Sequence, residues 1–155
     1  KAVLNELESD KKVYVADSFE GLPKPIAKYS ADKNDLHHTM DFLKVDLLNV
    51  KRNFIKYKIV LDRNVVFIKG FFSDSLKSVP FEKLSILRLD GDMYSSTWEV
   101  LTMLYDKLSI GGFCIIDDYH LPSCKNAVDD FRKQNNITDE LIQIDWTGYY
   151  WVKTK

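Results

Sequence analysis

Residues 84–120 read LSILRLDGDMYSSTWEVLTMLYDKLSIGGFCIIDDYH, and the succession of patterns inside this stretch decides the fold class. LSILRLD, from Leu84, is a short apolar run of strand-forming residues that stops at Asp90. FCIID, from Phe113, is a second such run and stops at the pair Asp117-Asp118. Between them Trp98, Leu101, Leu104, Tyr105 and Leu108 recur at the spacing of one helix face. Ser96 and Glu99 have the spacing of a capping box, so the helix is predicted to start at Ser95 or Ser96. Gly111-Gly112 is predicted to close the helical unit. A strand, one helix and another strand in succession predict parallel neighbours joined by a crossover.

The same alternation extends outward. Upstream, KVYVA at Lys12 to Ala16 reads as a strand, and DSFEGLPKP, with Gly21, Pro23 and Pro25, reads as a loop. Ala27 to Met40 has little periodicity and is expected to be irregular or weakly helical. Leu43, Leu47, Val50, Phe54 and Tyr57 then predict an amphipathic helix, and NVVFIKG from Asn64 predicts a strand stopped at Gly70. Downstream, Pro122-Ser123 open a helix with Ala127, Val128 and Phe131 facing inward. LIQID and YYWVK flank Thr147-Gly148 and predict an antiparallel hairpin at the sheet edge. The expected class is α/β, a mostly parallel sheet in one domain over residues 1–155. The chain opens KAVLNELESDKK without an initiator Met, and Val3, Leu4 and Leu7 look like the tail of a helix, so the domain is expected to be N-terminally incomplete.

With 155 residues, 45% hydrophobic and 29% charged, the chain can bury a core of its own. A formal net charge of -1 argues against a dedicated nucleic-acid or anionic-membrane binder. No apolar stretch approaches the roughly 20 residues that cross a bilayer. Cys114, inside FCII, and Cys124 are too few for a disulfide framework, so both are expected reduced and the protein cytoplasmic.

In open parallel sheets ligands bind beyond the carboxyl ends of the strands. The four long strands end on Asp17-Ser18, on Gly70 with Phe71-Phe72, on Asp90-Gly91-Asp92 and on Asp117-Asp118-Tyr119. Three of the four therefore deliver carboxylates to one edge. Aspartates also cap turns, but carboxylates that converge repel one another unless a cation lies between them. Hard oxygen ligands point to Mg²⁺, with Mn²⁺ or Ca²⁺ as substitutes. Asp17 admits two readings, an acceptor for ribose hydroxyls or the start of an Asx turn. His120 is expected to be a surface residue beside the site, and Tyr94, Tyr119 and Trp146 are core or rim residues that could also wall a sugar site.

VADSFEGLP, LRLDGDMYSSTWEVLTMLYDKLSIGGF, IIDDYHLPSCKNAVDDFR and ID-WTGYYW, spread from Val13 to Trp151, resemble the macrocin O-methyltransferase family of S-adenosylmethionine-dependent enzymes. The resemblance implies a Rossmann-like sheet and methyl transfer to a sugar hydroxyl of a natural product or glycan. It implies metal ligands at Asp90, Asp117 and Asp118, with Mg²⁺ or another divalent cation. Asp17 and Ser18 match the cofactor's ribose site, Phe72 and Ser73 flank its adenine, and Asp90 borders both halves. Asp90 and His38 are the implied catalytic residues, with His37 as the next candidate for the base. The family's first strand and glycine-rich turn have no counterpart before Asp17.

The implied partner is a small sugar-containing molecule, without nucleic acid or membrane, in a protein that could form a homo-oligomer. Two other readings compete. Asp90-Gly91-Asp92 has the acidic spacing of a metal-dependent nucleotide-sugar glycosyltransferase, and the absent first strand would suit a non-catalytic fragment.

Overall fold

In the computed structural model, which covers residues 1–155, Val13–Asp17 forms β1 and pairs in parallel with β2 (Val65–Lys69), Val13 opposite Val65 and Asp17 opposite Lys69. A second sheet has the order β3-β4-β6-β5. In it β3 (Leu84–Leu89) and β4 (Leu108–Ile116) run parallel, and β6 (Tyr149–Val152) is antiparallel to β4 and to β5 (Ile142–Gln143). The α/β class, the parallel pairs and the closing hairpin match expectation. The sheet, however, is divided: β1 and β3 do not pair, and side chains bridge them instead. The Tyr14 and Phe81 rings lie 4.5 Å apart, and Lys11 Nζ reaches Ser85 Oγ at 3.4 Å. The hairpin closes the sheet at the expected edge, with β6 against β4 and the two-residue β5 outermost.

The helices are α1 (Ala2–Glu6), α2 (Leu47–Lys56), α3 (Phe72–Ser75), α4 (Tyr94–Leu104) and α5 (Pro122–Gln134). α2 starts later than the apolar spacing suggested, because Asp46 caps it by accepting the Asn49 N–H at 2.9 Å, and Leu43 falls in a preceding 3-10 turn. The polar stretch after Ala27 is ordered as three such turns, at Ser30–Asp32, His37–Thr39 and Asp41–Leu43. The expected serine cap of α4 is not what forms. Met93 holds the cap position and has no side-chain oxygen to offer, while Ser95 and Ser96 lie buried inside the first turn. Gly111 and Gly112 are not a terminator either; they lie within β4, where its register against β3 shifts. Gly111 adopts a φ of +79°, and a Cβ at Gly112 would stand 2.8 Å from the Ser109 carbonyl oxygen.

A single cluster of 14 buried residues fills the space between the second sheet, α4 and α5. Leu101, Leu104, Leu108, Cys114, Ile116, Val128 and Phe131 belong to it, so the predicted stripes of both helices do face inward. Trp151 on β6 is fully buried, and its indole N–H donates to Tyr105 Oη at 3.0 Å, which satisfies the polar atom of a large apolar ring. Both cysteines are free and buried. No helix is long and apolar enough to cross a membrane.

Candidate active site

The carboxyl ends of β3 and β4 bring Asp90, Asp117 and Asp118 together, each offering an oxygen within 4.8 Å of the others. Adjacent parallel strands in register do this without loop geometry: Leu89 pairs with Ile116, so the next residue on each strand is an aspartate. The Asp117 N–H donates to the Leu89 carbonyl at 2.9 Å and carries the ladder one residue past the strand. Hard oxygen donors at this spacing fit a divalent cation such as Mg²⁺ or Ca²⁺.

Part of the repulsion expected among these groups is relieved by a protein cation. Arg88 donates through Nη1 to Asp90 at 3.0 Å and through Nη2 to Asp117 at 2.7 Å. Its signal was present in LRLD, since residues two apart on a strand share a face. Asp118 has no such partner. Partial burial, then the charges of Asp92 and Asp90, push its pKa up to about 7, although the Asp92 N–H donates to it at 3.4 Å. Asp92 itself adopts a φ of 53°, and burial raises its pKa as well.

The 3-10 turns upstream supply the histidines. His37 is bound to Asp35 twice, by its backbone N–H at 2.8 Å and by Nδ1 at 2.9 Å. With an ionised Asp35, Nδ1 must carry the proton, which leaves Nε2 free to accept one. The Asp35 hydrogen bond holds the His37 pKa above the ordinary histidine range against partial burial, and the charges of Asp35, Asp92 and Asp118 act in the same direction. His37 therefore lies within the field of Asp92 and Asp118. His38 Nδ1 is buried without a hydrogen-bond partner, and His120 is exposed.

On the other sheet, Asp17 Oδ1 accepts the Phe19 N–H at 2.5 Å and so starts an Asx turn, with Phe19 at a φ of 56°. The carboxylate is exposed and has a second oxygen for a ribose hydroxyl, so the turn and the ligand reading are compatible. Ser18 is buried, donates to the Gly21 carbonyl at 2.6 Å and stiffens the same loop. Phe72 opens α3 and packs against the core cluster, and Ser73 follows it on the same short helix. Trp146 is exposed near the hairpin turn, Tyr119 packs at a tilt against Tyr149 with ring centroids 4.7 Å apart, and Tyr94 stacks on Trp98 at 5.8 Å.

Acidic strand ends on both sheets, over alternating strands and helices, define an α/β class that sequence comparison makes specific. The family described as macrocin-O-methyltransferase (TylF) matches residues 1–153. The chain belongs to that family. It is 47% identical over 149 residues to the demethyldecarbamoylnovobiocin O-methyltransferase of Streptomyces niveus, covering 94% of this chain and 56% of that protein. It is 43% identical over 150 residues to the mycinamicin III 3''-O-methyltransferase of Micromonospora griseorubida, covering 92% and 57% respectively. The chain thus spans little more than half the length of these curated relatives. The solved O-methyltransferase NovP superposes with a TM-score of 0.93 at 45% identity, over 99% of this chain and 64% of that one. The calicheamicin methyltransferase CalS11 shares the fold, with a TM-score of 0.73 at 14% identity.

Proposed function

We propose that this chain carries the acceptor side of an S-adenosylmethionine-dependent O-methyltransferase that acts on a sugar hydroxyl of a natural product or glycan. The observation that carries the reading is the convergence of Asp90, Asp117 and Asp118 at two adjacent strand ends, with the Asp35-held His37 in the field of Asp118. Relatives named for demethyldecarbamoylnovobiocin and mycinamicin III support a small glycosylated acceptor. These relatives are named as O-methyltransferases, which does not favour the glycosyltransferase alternative.

Asp90, Asp117 and Asp118 would hold the cation, which when bound supplies a Lewis acid that lowers the pKa of a coordinated hydroxyl. Arg88 keeps the Asp90 and Asp117 carboxylates turned to the same side. Asp17 would take the ribose hydroxyls of the cofactor, whose sulfonium supplies the methyl group, with Ser18 fixing the loop and Phe72 and Ser73 beside the adenine. His37, its Nδ1–H committed to Asp35, would offer Nε2 to the hydroxyl proton; it is preferred to His38 for this role because Asp35 fixes its ring and tautomer, whereas His38 Nδ1 has no hydrogen-bond partner. The remaining task of the site is to position the nucleophile and keep water out as opposite charges cancel.

Asp90→Asn or Asp117→Asn, in the protein with its complete cofactor site, is expected to lower methyl transfer by about 10²-fold or more while leaving the fold intact. His37→Ala should remove the rise of kcat/KM on the alkaline side of the histidine range, and His38→Ala should keep it. Full activity after exhaustive chelation would eliminate the metal role, and an unaltered pH profile in His37→Ala would eliminate the base.

A further inference from the structure

α4 cannot cap itself. Met93 occupies the cap position, and the acceptors for the first free N–H groups come from a residue more than sixty positions away in sequence. Asp32 is 0% exposed, and its two carboxylate oxygens accept the Tyr94 and Ser95 N–H groups, both at 2.8 Å. A buried carboxylate is tolerable there because two backbone donors and the positive end of the helix dipole offset its lost hydration. A serine or aspartate at position 93 would satisfy the same donors without ordering a distant loop. The remote cap therefore does something a local one would not: it ties the segment from Tyr29 to Thr39 to the helix that begins beside Asp90.

The tie continues to the histidine. The Asp32 carbonyl accepts the Asp35 N–H at 2.8 Å, and Asp35 in turn holds the His37 backbone and ring. Tyr29 reinforces the same docking, with its ring 5.9 Å from that of Tyr94. Both ends of the pathway start from the first turn of α4, one covalently through Gly91 and Asp92, the other through Asp32.

We infer that Asp32 is a positioning residue: its clamp on α4 sets where His37 stands relative to the carboxylates of Asp90, Asp117 and Asp118. The inference rests on the metal-site reading given above and adds to it the group that fixes the geometry. The protein has three histidines, so their ring resonances can be followed individually by NMR while Mn²⁺ is added as a paramagnetic probe. His120, two residues beyond Asp118, serves as an internal reference that does not depend on Asp32. In the wild type Mn²⁺ is expected to broaden both His37 and His120. In Asp32→Ala the broadening of His120 should persist while that of His37 falls several-fold, and Asp32→Asn, which keeps one acceptor, should be intermediate. Equal broadening of His37 in wild type and folded Asp32→Ala overturns the inference, and should the alanine variant fail to fold, the asparagine variant is judged by the same criterion. Broadening of His120 but not His37 in the wild type overturns the inference alone. Broadening of neither overturns it together with the metal-site reading.

Discussion

Asp118 shares its strand end with Asp117 but not the Arg88 guanidinium that Asp117 enjoys, and the consequence is a carboxylate held partly uncharged near neutrality. A carboxyl whose folded pKa lies near 7 keeps its proton in the native state after the unfolded chain has released it near pH 4. The native state then binds more protons than the unfolded one between about pH 4 and pH 7, so the stability of the ion-free protein falls as pH rises through that window. Asp118→Asn should flatten the fall and stabilise the protein at pH 8 in chelator by about 1 kcal/mol once solvent screening of this half-exposed group is allowed for, read as a higher melting temperature. Scanning calorimetry at several pH values checks it, and an asparagine variant less stable than wild type at pH 8 would count against the assigned cause. The three aspartates were legible from LRLD and FCIID because strand ends are local features. That Asp35 holds the His37 ring was not, since both histidines sit in a polar segment whose turns no apolar period encodes.

At the level of elements, the strand and helix repeats were readable because burial imposes a period on side chains. The departures arose where a local signal met a tertiary demand. Ser96 and Glu99 had capping-box spacing, yet Asp32 reached the helix start and the serines went inside. Gly111-Gly112 resembled a terminator, but the chain continues as β4 and the glycines serve the register shift against β3. Close approach there gives a test. A Cβ at Gly112 would meet the Ser109 and Ser85 carbonyl oxygens at 2.8 and 3.0 Å, whereas at Gly111 it would meet nothing within 4 Å and suffer only the positive φ. Gly112→Ala should cost about 1–3 kcal/mol by overpacking, and Gly111→Ala about 1–2 kcal/mol from left-handed strain alone. Denaturant titration should rank Gly112→Ala as the more destabilising; the reverse order would refute the close contact.

Burial is uneven across residues 1–155. All 14 residues of the core cluster lie between Leu76 and Trp151, while β1, β2 and α2 contain no buried side chain. Native-state hydrogen exchange should therefore show β1, β2 and α2 opening at a lower free energy than β3, β4, α4 and α5. Uniform protection across both sheets would contradict this division. The amino-acid sequence by itself determined the α/β class, the order of elements, the inward faces of α4 and α5 and the arrival of aspartates at one edge. Each of these follows from short-range periodicity and from polar residues that stop an apolar strand. Only the tertiary structure decided that Arg88 bridges Asp90 to Asp117, that Asp32 caps α4 and that Asp35 holds His37. Such contacts depend on the paths loops take between distant residues, and the many conformations open to a polar loop leave no periodic trace in its sequence.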